Sequence, residues 1–256
     1  MPELPEVETV MRGLSAVLIG RTFTSIVLRR KDLRFPLPKS MPAVLCGHTI
    51  TSLSRRAKYI LIHFVNDQSL IVHLGMSGRM VIDDGTSKLQ KHDHVIFQTN
   101  KNHQIKFNDP RRFGMMDIVH TAQTGAHKLL KHLGPEPLEA VFSGEALYAK
   151  LKSKKIAIKL AIMDQRVVVG VGNIYACEAL YAAGIHPERP ANKVTLAECK
   201  ALVTAIKTIL KRAIAKGGSS LRDYVQADGE LGYFQHDFAG YGREGDQRKN
   251  CTCKNK

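Results

Sequence analysis

The hydrophobic spacing of this chain changes period once, near residue 121, and that change decides what it can fold into. From Thr22 to about His120 the apolar residues come in short β-branched and aromatic runs: Phe23–Leu28, Tyr59–Val65, Leu70–Leu74, Val95–Gln98, Gln104–Phe107 and Met115–Val119. Each is bounded by turn formers such as Asn66-Asp67, Asp84-Gly85, Asn100-Lys101-Asn102 and Asn108-Asp109-Pro110, which is the punctuation of strands. Short strands spaced this way predict a β-sandwich or barrel-like layer. Ahead of them, Val7, Val10, Met11, Leu14, Val17 and Leu18 recur at three- and four-residue steps and predict a helix from Glu3 to Gly20. Past residue 121 the period is helical, over Gly144–Leu151, Ile156–Met163, Ile174–Ala183, Thr195–Lys216 and Ser220–Gln226. Gly134-Pro135-Glu136-Pro137 reads as the hinge between the halves, and Gly232-Tyr233-Phe234 with Tyr241-Gly242 as a late hairpin or loop. The expected class is α+β: a helix and β-sandwich over residues 1–133, a helical domain over 134–240, and a disordered remnant over 241–256.

Charge narrows the function. Lys and Arg exceed Asp and Glu by 15, and the pI is near 9.7. Residues 1–130 carry +8 and the remainder +7, so the excess belongs to the folded body and not to one tail. A body this basic expects a polyanionic partner, with nucleic acid the default. No run approaches the eighteen apolar residues of a membrane span. Glu3, Glu6 and Glu8 make the opening unlike a signal peptide. Five cysteines, odd in number and mostly far apart, suit a reducing cytoplasm and exclude a disulfide framework.

Several short motifs could carry chemistry. Removal of Met1 before a small Pro2 would expose a secondary amine of low basicity, able to attack a sugar C1′ and form an iminium. Glu3 follows as a proton donor or acceptor, with Glu6 one helical turn on, although a proline and acids at a helix start are also good capping chemistry. In Arg55-Arg56-Ala57-Lys58-Tyr59, the lysine at a strand start could be desolvated into a proton donor or base, or could be a solvated strand end. His73-Leu74-Gly75-Met76-Ser77-Gly78 holds a methionine between glycines, a wedge for stacked bases or a core residue. Asp109-Pro110-Arg111-Arg112-Phe113-Gly114 is a tight turn with two arginines and an aromatic, the side chains a duplex-opening protein needs. Gly170-Val171-Gly172-Asn173 feeds a helix start that could bind phosphate, with Lys152, Lys154, Lys155 and Lys159 upstream; its spacing is not a dinucleotide fingerprint.

Together with Lys91-His92-Asp93-His94, Met163-Asp164-Gln165, Val169–Glu178, Gly184-Ile185-His186-Pro187 and Gly217–Gln235, these motifs resemble bacterial formamidopyrimidine-DNA glycosylase, in order, to about Gly245. The resemblance implies a base-excision repair enzyme that removes 8-oxoguanine and formamidopyrimidines from duplex DNA and then nicks the strand. It implies a β-sandwich domain and a helix-two-turn-helix domain around a basic cleft. Pro2 would be the nucleophile, Glu3 the acid that assists sugar-ring opening, and Lys58 a proton donor and phosphate contact. Met76, Arg111 and Phe113 would fill the gap left by the extruded nucleotide. His92, Arg112, Lys154, Lys155, Lys159 and Asn173 would hold phosphates, Glu6 is a further candidate, and the loop over the flipped base would lie within Leu221–Tyr241.

The chain departs from the family after Tyr241-Gly242-Arg243-Glu244-Gly245, where relatives continue into a four-cysteine zinc finger. Here Cys251-Thr252-Cys253 supplies only two donors, at C-x-C spacing. The expectation is no bound zinc, no cofactor for the chemistry, and a second elimination step weakened with the finger. Damaged double-stranded DNA is the expected partner of a monomer in the bacterial cytoplasm, near the nucleoid. Two other readings stand beside the active enzyme. One is a damaged-DNA-binding protein with impaired turnover. The other is the related enzyme for oxidised pyrimidines, whose branch begins Pro-Glu-Gly-Pro-Glu where this chain has Leu4.

Overall fold

Glu3 opens the first helix. In the computed structural model, which describes residues 2–219 and 232–246, its backbone is extended (φ −105°, ψ −167°) and α1 runs Leu4–Leu18. Glu3 and Glu6 form a capping box, each side chain meeting the other's backbone N–H, so the orphan donors of the first turn are satisfied. Leu4, Val7, Val10, Leu14 and Leu18 are buried along one stripe, each contributing roughly 1.5–3 kcal/mol.

The strands follow as β1 (Phe23–Leu28), β2 (Ile50–Arg56), β3 (Tyr59–Phe64), β4 (Gln68–His73), β5 (Arg79–Asp83), β6 (Asp93–Thr99), β7 (Gln104–Asn108) and β8 (Met115–His120), with a short helix α2 at Met41–Leu45. Among the described residues they form two four-stranded sheets, ordered β1-β6-β7-β5 and β2-β3-β4-β8, antiparallel throughout. Register puts Ile60 opposite Val72 and Ile62 opposite Leu70, and these side chains join Phe23, Phe97, Ile105, Phe107 and the α1 stripe in one core. This is the expected sandwich, with two strands the sequence did not announce. Both are edge strands: β2 is mostly exposed or half-exposed and rich in Ser, Thr and Arg, so it carries little apolar signal, while β5 offers only the short run Met80-Val81-Ile82 between Arg79 and Asp83.

The helical part consists of α3 (Gly144–Leu151), α4 (Ile158–Met163), α5 (Asn173–Ala183) and α6 (Leu196–Ala215). Ser143 caps α3 through Ala146 N–H at 3.1 Å, Thr195 and Glu198 form a capping box on α6, and α5 stops at Gly184 with φ 68°. Helix α4 begins two residues later than its apolar pattern, because Ile156 accepts a backbone bond from Ala191 and Ala157 bridges Pro190. The expected helix Ser220–Gln226 lies outside the described residues. Contacts divide the chain into two units, Met1–Lys131 with Gly217–Tyr233 and His132–Lys216 with Phe234–Lys256. Gly134 N–H donates to Gln165 O at 2.8 Å, and Pro135 O accepts from Val169, so the Gly-Pro stretch read as a hinge is packed within the second unit. The stretch expected to be disordered, 241–256, is described as far as residue 246. The buried Glu178 carboxylate accepts the N–H groups of Ala239, Gly240 and Tyr241 at 2.7–3.2 Å, which anchors that segment. No described helix is long and apolar enough to cross a membrane.

Candidate active site

Two acids and a lysine meet where α1 begins. Pro2 is buried, and Glu3 and Glu6 are each 2% exposed. Glu6 divides its carboxylate, accepting Glu3 N–H on Oε2 at 2.8 Å and Ser219 N–H on Oε1 at 2.9 Å. Lys58 arrives on the two-residue turn between β2 and β3, where Arg56 pairs with Tyr59 and Ala57 takes a left-handed φ of 55°. Arg55 sets that turn against the helix, donating from Nε to Glu8 Oε2 at 2.8 Å and from Nη1 to Ala57 O at 3.0 Å. Lys58 is buried, so it is not a solvated strand end. Burial pushes its ammonium pKa down, and the facing charges of Glu3 and Glu6 partly restore it. A desolvated lysine beside two carboxylates gives up its proton more readily than an exposed one.

Next to this cluster stands His73, whose importance the sequence reading missed. Its pKa is held at about 4, by burial first and then by Lys58 and Arg34, so the ring is neutral at physiological pH. Nδ1 accepts Gly75 N–H at 3.0 Å, which leaves the proton on Nε2, and the ring lies 4.7 Å from that of Tyr59.

His73 also lines a groove of about 650 Å³ with Arg34, Met76, Arg111, Arg112 and Phe113, which brings the expected wedge residues together. Met76 is half-buried, and Phe113 is 41% exposed with the Arg111 guanidinium 5.1 Å from its ring centre. The two turns that carry them touch through backbone. Gly75 has φ 68°, and a Cβ there would fall 2.4 Å from the Phe113 carbonyl carbon. Arg112 is exposed with φ 56°, and His92 is half-buried on the turn before β6, its carbonyl accepting Asp109 N–H.

The other expected phosphate contacts belong to the second unit. Lys154 and the exposed Lys155 lie on the turn into α4, Lys159 is in its first turn, and the exposed Asn173 opens α5. Lys154 already faces Asp164 at 3.6 Å. Gln165 braces the glycine turn before Asn173, accepting Gly170 N–H on Oε1 and donating from Nε2 to Met163 O and Val171 O. Cys251 and Cys253 lie outside the described residues, and among the described residues no group of three or more His, Cys, Asp or Glu could hold a metal.

Residues 1–116 match the family model for the formamidopyrimidine-DNA glycosylase N-terminal domain, and residues 133–225 match that for its H2TH domain. The chain belongs to the formamidopyrimidine-DNA glycosylase family. Curated formamidopyrimidine-DNA glycosylases resemble it closely: that of Paracoccus denitrificans is 52% identical over 96% of this chain and 89% of its own length. The Ruegeria enzyme is 48% identical over 98% and 93% respectively. Among solved structures, a Lactococcus lactis Fpg mutant in complex with Fapy-dG DNA superposes with a TM-score of 0.92 at 33% identity, covering 99% of this chain and 93% of that one. The Thermus thermophilus protein gives 0.88 at 36%, covering 99% and 92%. For a formamidopyrimidine-DNA glycosylase, the buried lysine and carboxylates behind Pro2 are the groups that the sequence likeness assigns to chemistry, and the exposed tips of the two glycine-locked turns are those it assigns to DNA.

Proposed function

We propose that this chain is a base-excision repair enzyme that removes oxidised purines from duplex DNA and cleaves the strand at the resulting abasic site. The observation that carries the reading is the buried cluster of Glu3, Glu6 and Lys58 immediately behind Pro2. With Met1 removed, the Pro2 amine attacks C1′ of the damaged nucleotide and the glycosidic bond breaks, so that the base departs with the bonding pair. Glu3 delivers a proton to the ring oxygen as the sugar opens, leaving an iminium between Pro2 and C1′. Loss of a C2′ proton to a base then expels the 3′ phosphate. Lys58 serves as proton donor and phosphate contact there, a task suited to an ammonium whose pKa is lowered by burial. Met76, Arg111 and Phe113 occupy the space of the extruded nucleotide, and His92, Arg112, Lys154, Lys155, Lys159 and Asn173 hold the backbone on either side. The Lactococcus lactis relatives bound to Fapy-dG DNA and to abasic DNA support both substrates.

The enzyme acts as a monomer in the cytoplasm, close to its chromosomal substrate; sedimentation and cell fractionation check these points. The steps above use no metal, and the C-x-C spacing of Cys251 and Cys253 differs from the C-x₂₋₄-C pairs of a structural zinc site. No stoichiometric zinc is expected, and elemental analysis finding one zinc per chain overturns that expectation. The deciding experiment is borohydride trapping on a duplex containing 8-oxoguanine. Covalent trapping is expected, and it is lost when an N-terminal extension blocks the Pro2 amine. Trapping that survives the extension moves the nucleophile to a lysine such as Lys58. Lesion binding without any trapping makes the chain a damage-binding protein.

A further inference from the structure

We propose that Asp109 is a positioning residue that fastens the Met76 turn to the Arg111–Phe113 turn, so that these side chains enter the duplex as one rigid wedge. The proposal rests on the wedge reading given above. It starts from where the restraint on that wedge comes from. Phe113 and Arg111 are exposed, and the 5.1 Å stack between them is an interaction of one tip with another. Side chains that must push between stacked bases need a support that does not yield, and that support lies at the foot of the turns.

Asp109 is fully buried there and uses every polar atom it has. Oδ1 accepts the Ser77 hydroxyl at 2.6 Å and Oδ2 accepts Gly114 N–H at 2.8 Å. Its carbonyl accepts Arg112 N–H at 3.2 Å and lies 2.9 Å from His94 Nε2, and its own N–H donates to His92 O at 3.0 Å. Ser77 Oγ then accepts Arg111 N–H at 3.2 Å, which closes the link back to the other turn. One carboxylate therefore bonds directly to the residue after Met76 and to the residue after Phe113. Charge-assisted bonds of this kind are the strong ones, and a buried carboxylate left without them is costly, so the two turns have little freedom to separate.

The test compares excision from an 8-oxoguanine duplex with nicking of an abasic site in a single strand, where no stack has to be opened. Asp109→Ala is expected to slow duplex excision by about 10- to 100-fold, the scale of an ångström's misplacement. Nicking of the single strand should stay within about twofold, which also certifies that the catalytic cluster is folded. Asp109→Asn can accept from Gly114 and donate to Ser77, so duplex excision should recover to within about threefold of the parent. If Asp109→Ala does not fold, Ser77→Ala is expected to show the same selective loss at about three- to tenfold. In a background with Met76, Arg111 and Phe113 all changed to alanine, adding Asp109→Ala should cost less than about threefold more, because it acts through the side chains already removed. Equal losses on both substrates, or a fully additive combination, overturn the positioning role. A slow Phe113→Ala alongside an unaffected Asp109→Ala and Ser77→Ala overturns it while leaving the wedge reading intact. An unaffected Phe113→Ala removes the wedge reading and this proposal with it.

Discussion

Glu3 combines two duties that are usually separate. Its backbone caps α1 and receives the Glu6 carboxylate, while its buried side chain faces Lys58. Glu3→Gln keeps the shape and removes the acid. Base excision should fall by orders of magnitude, whereas nicking of a preformed abasic site falls much less, because an abasic sugar already samples the open aldehyde. Single-turnover rates on the two substrates check this, and equal losses remove the ring-opening role. His73 makes a second statement at the same scale, about acid. Its folded pKa is about 4 against an ordinary 6.5, so as the pH falls the unfolded chain takes up the proton first. Stability is therefore intact above the ordinary value and drains away as pH falls towards the folded one. His73→Gln should flatten that loss by at most about 3 kcal/mol, read from urea unfolding at pH 7 and pH 4.5. His63 and His94, also held low by burial, account for slope that remains.

At the scale of elements, the two turns that meet at Gly75 and Phe113 carry the side chains proposed as the wedge. Phe113→Ala or Arg111→Ala should weaken binding to a lesion duplex by roughly 1–3 kcal/mol, with little change on a single strand. Titration by fluorescence anisotropy on both ligands decides it, and matched losses mean plain phosphate contacts. These turns were legible in the sequence because each is a contiguous run with glycine at fixed places, as was the Pro2–Glu3 start. Lys58 was legible as a residue but not as a buried one, since burial depends on Arg55 tying the β2–β3 turn to Glu8 across the fold. His73, Asp109 and Ser77 acquire meaning only from partners distant in the chain, and no local pattern announces a partner. In β2 the partly exposed, Ser- and Arg-rich edge position removes the apolar face that marks a central strand, and β5 is hidden by the shortness of its run Met80-Val81-Ile82.

For the whole molecule the governing quantity is charge. An excess of 15 positive charges in a chain of ordinary composition makes DNA affinity a function of salt. The logarithm of the binding constant should fall linearly with the logarithm of salt concentration. Lys155→Ala and Lys159→Ala should each reduce the slope by about one unit, without changing the preference for a lesion over intact duplex. A slope that stays put in either variant means that lysine meets no phosphate.

The pinch at Gly218 and Gly232 has a consequence for how this chain can vary. Ser219 bridges Tyr233, and a Cβ on Gly232 would fall 2.4 Å from Gly218 O, so the chain on either side of positions 220–231 is held together at one point. That point is moored to the N-terminal helix by the bond from Ser219 to Glu6. A segment whose ends are fixed together behaves as a closed ring, whose closure entropy grows only with the logarithm of its length. Adding four glycine and serine residues between positions 220 and 231 should therefore lower unfolding stability by less than about 1 kcal/mol, measured by thermal melting. The body would then tolerate changes of length and sequence between these two anchors, because what holds it together lies outside them.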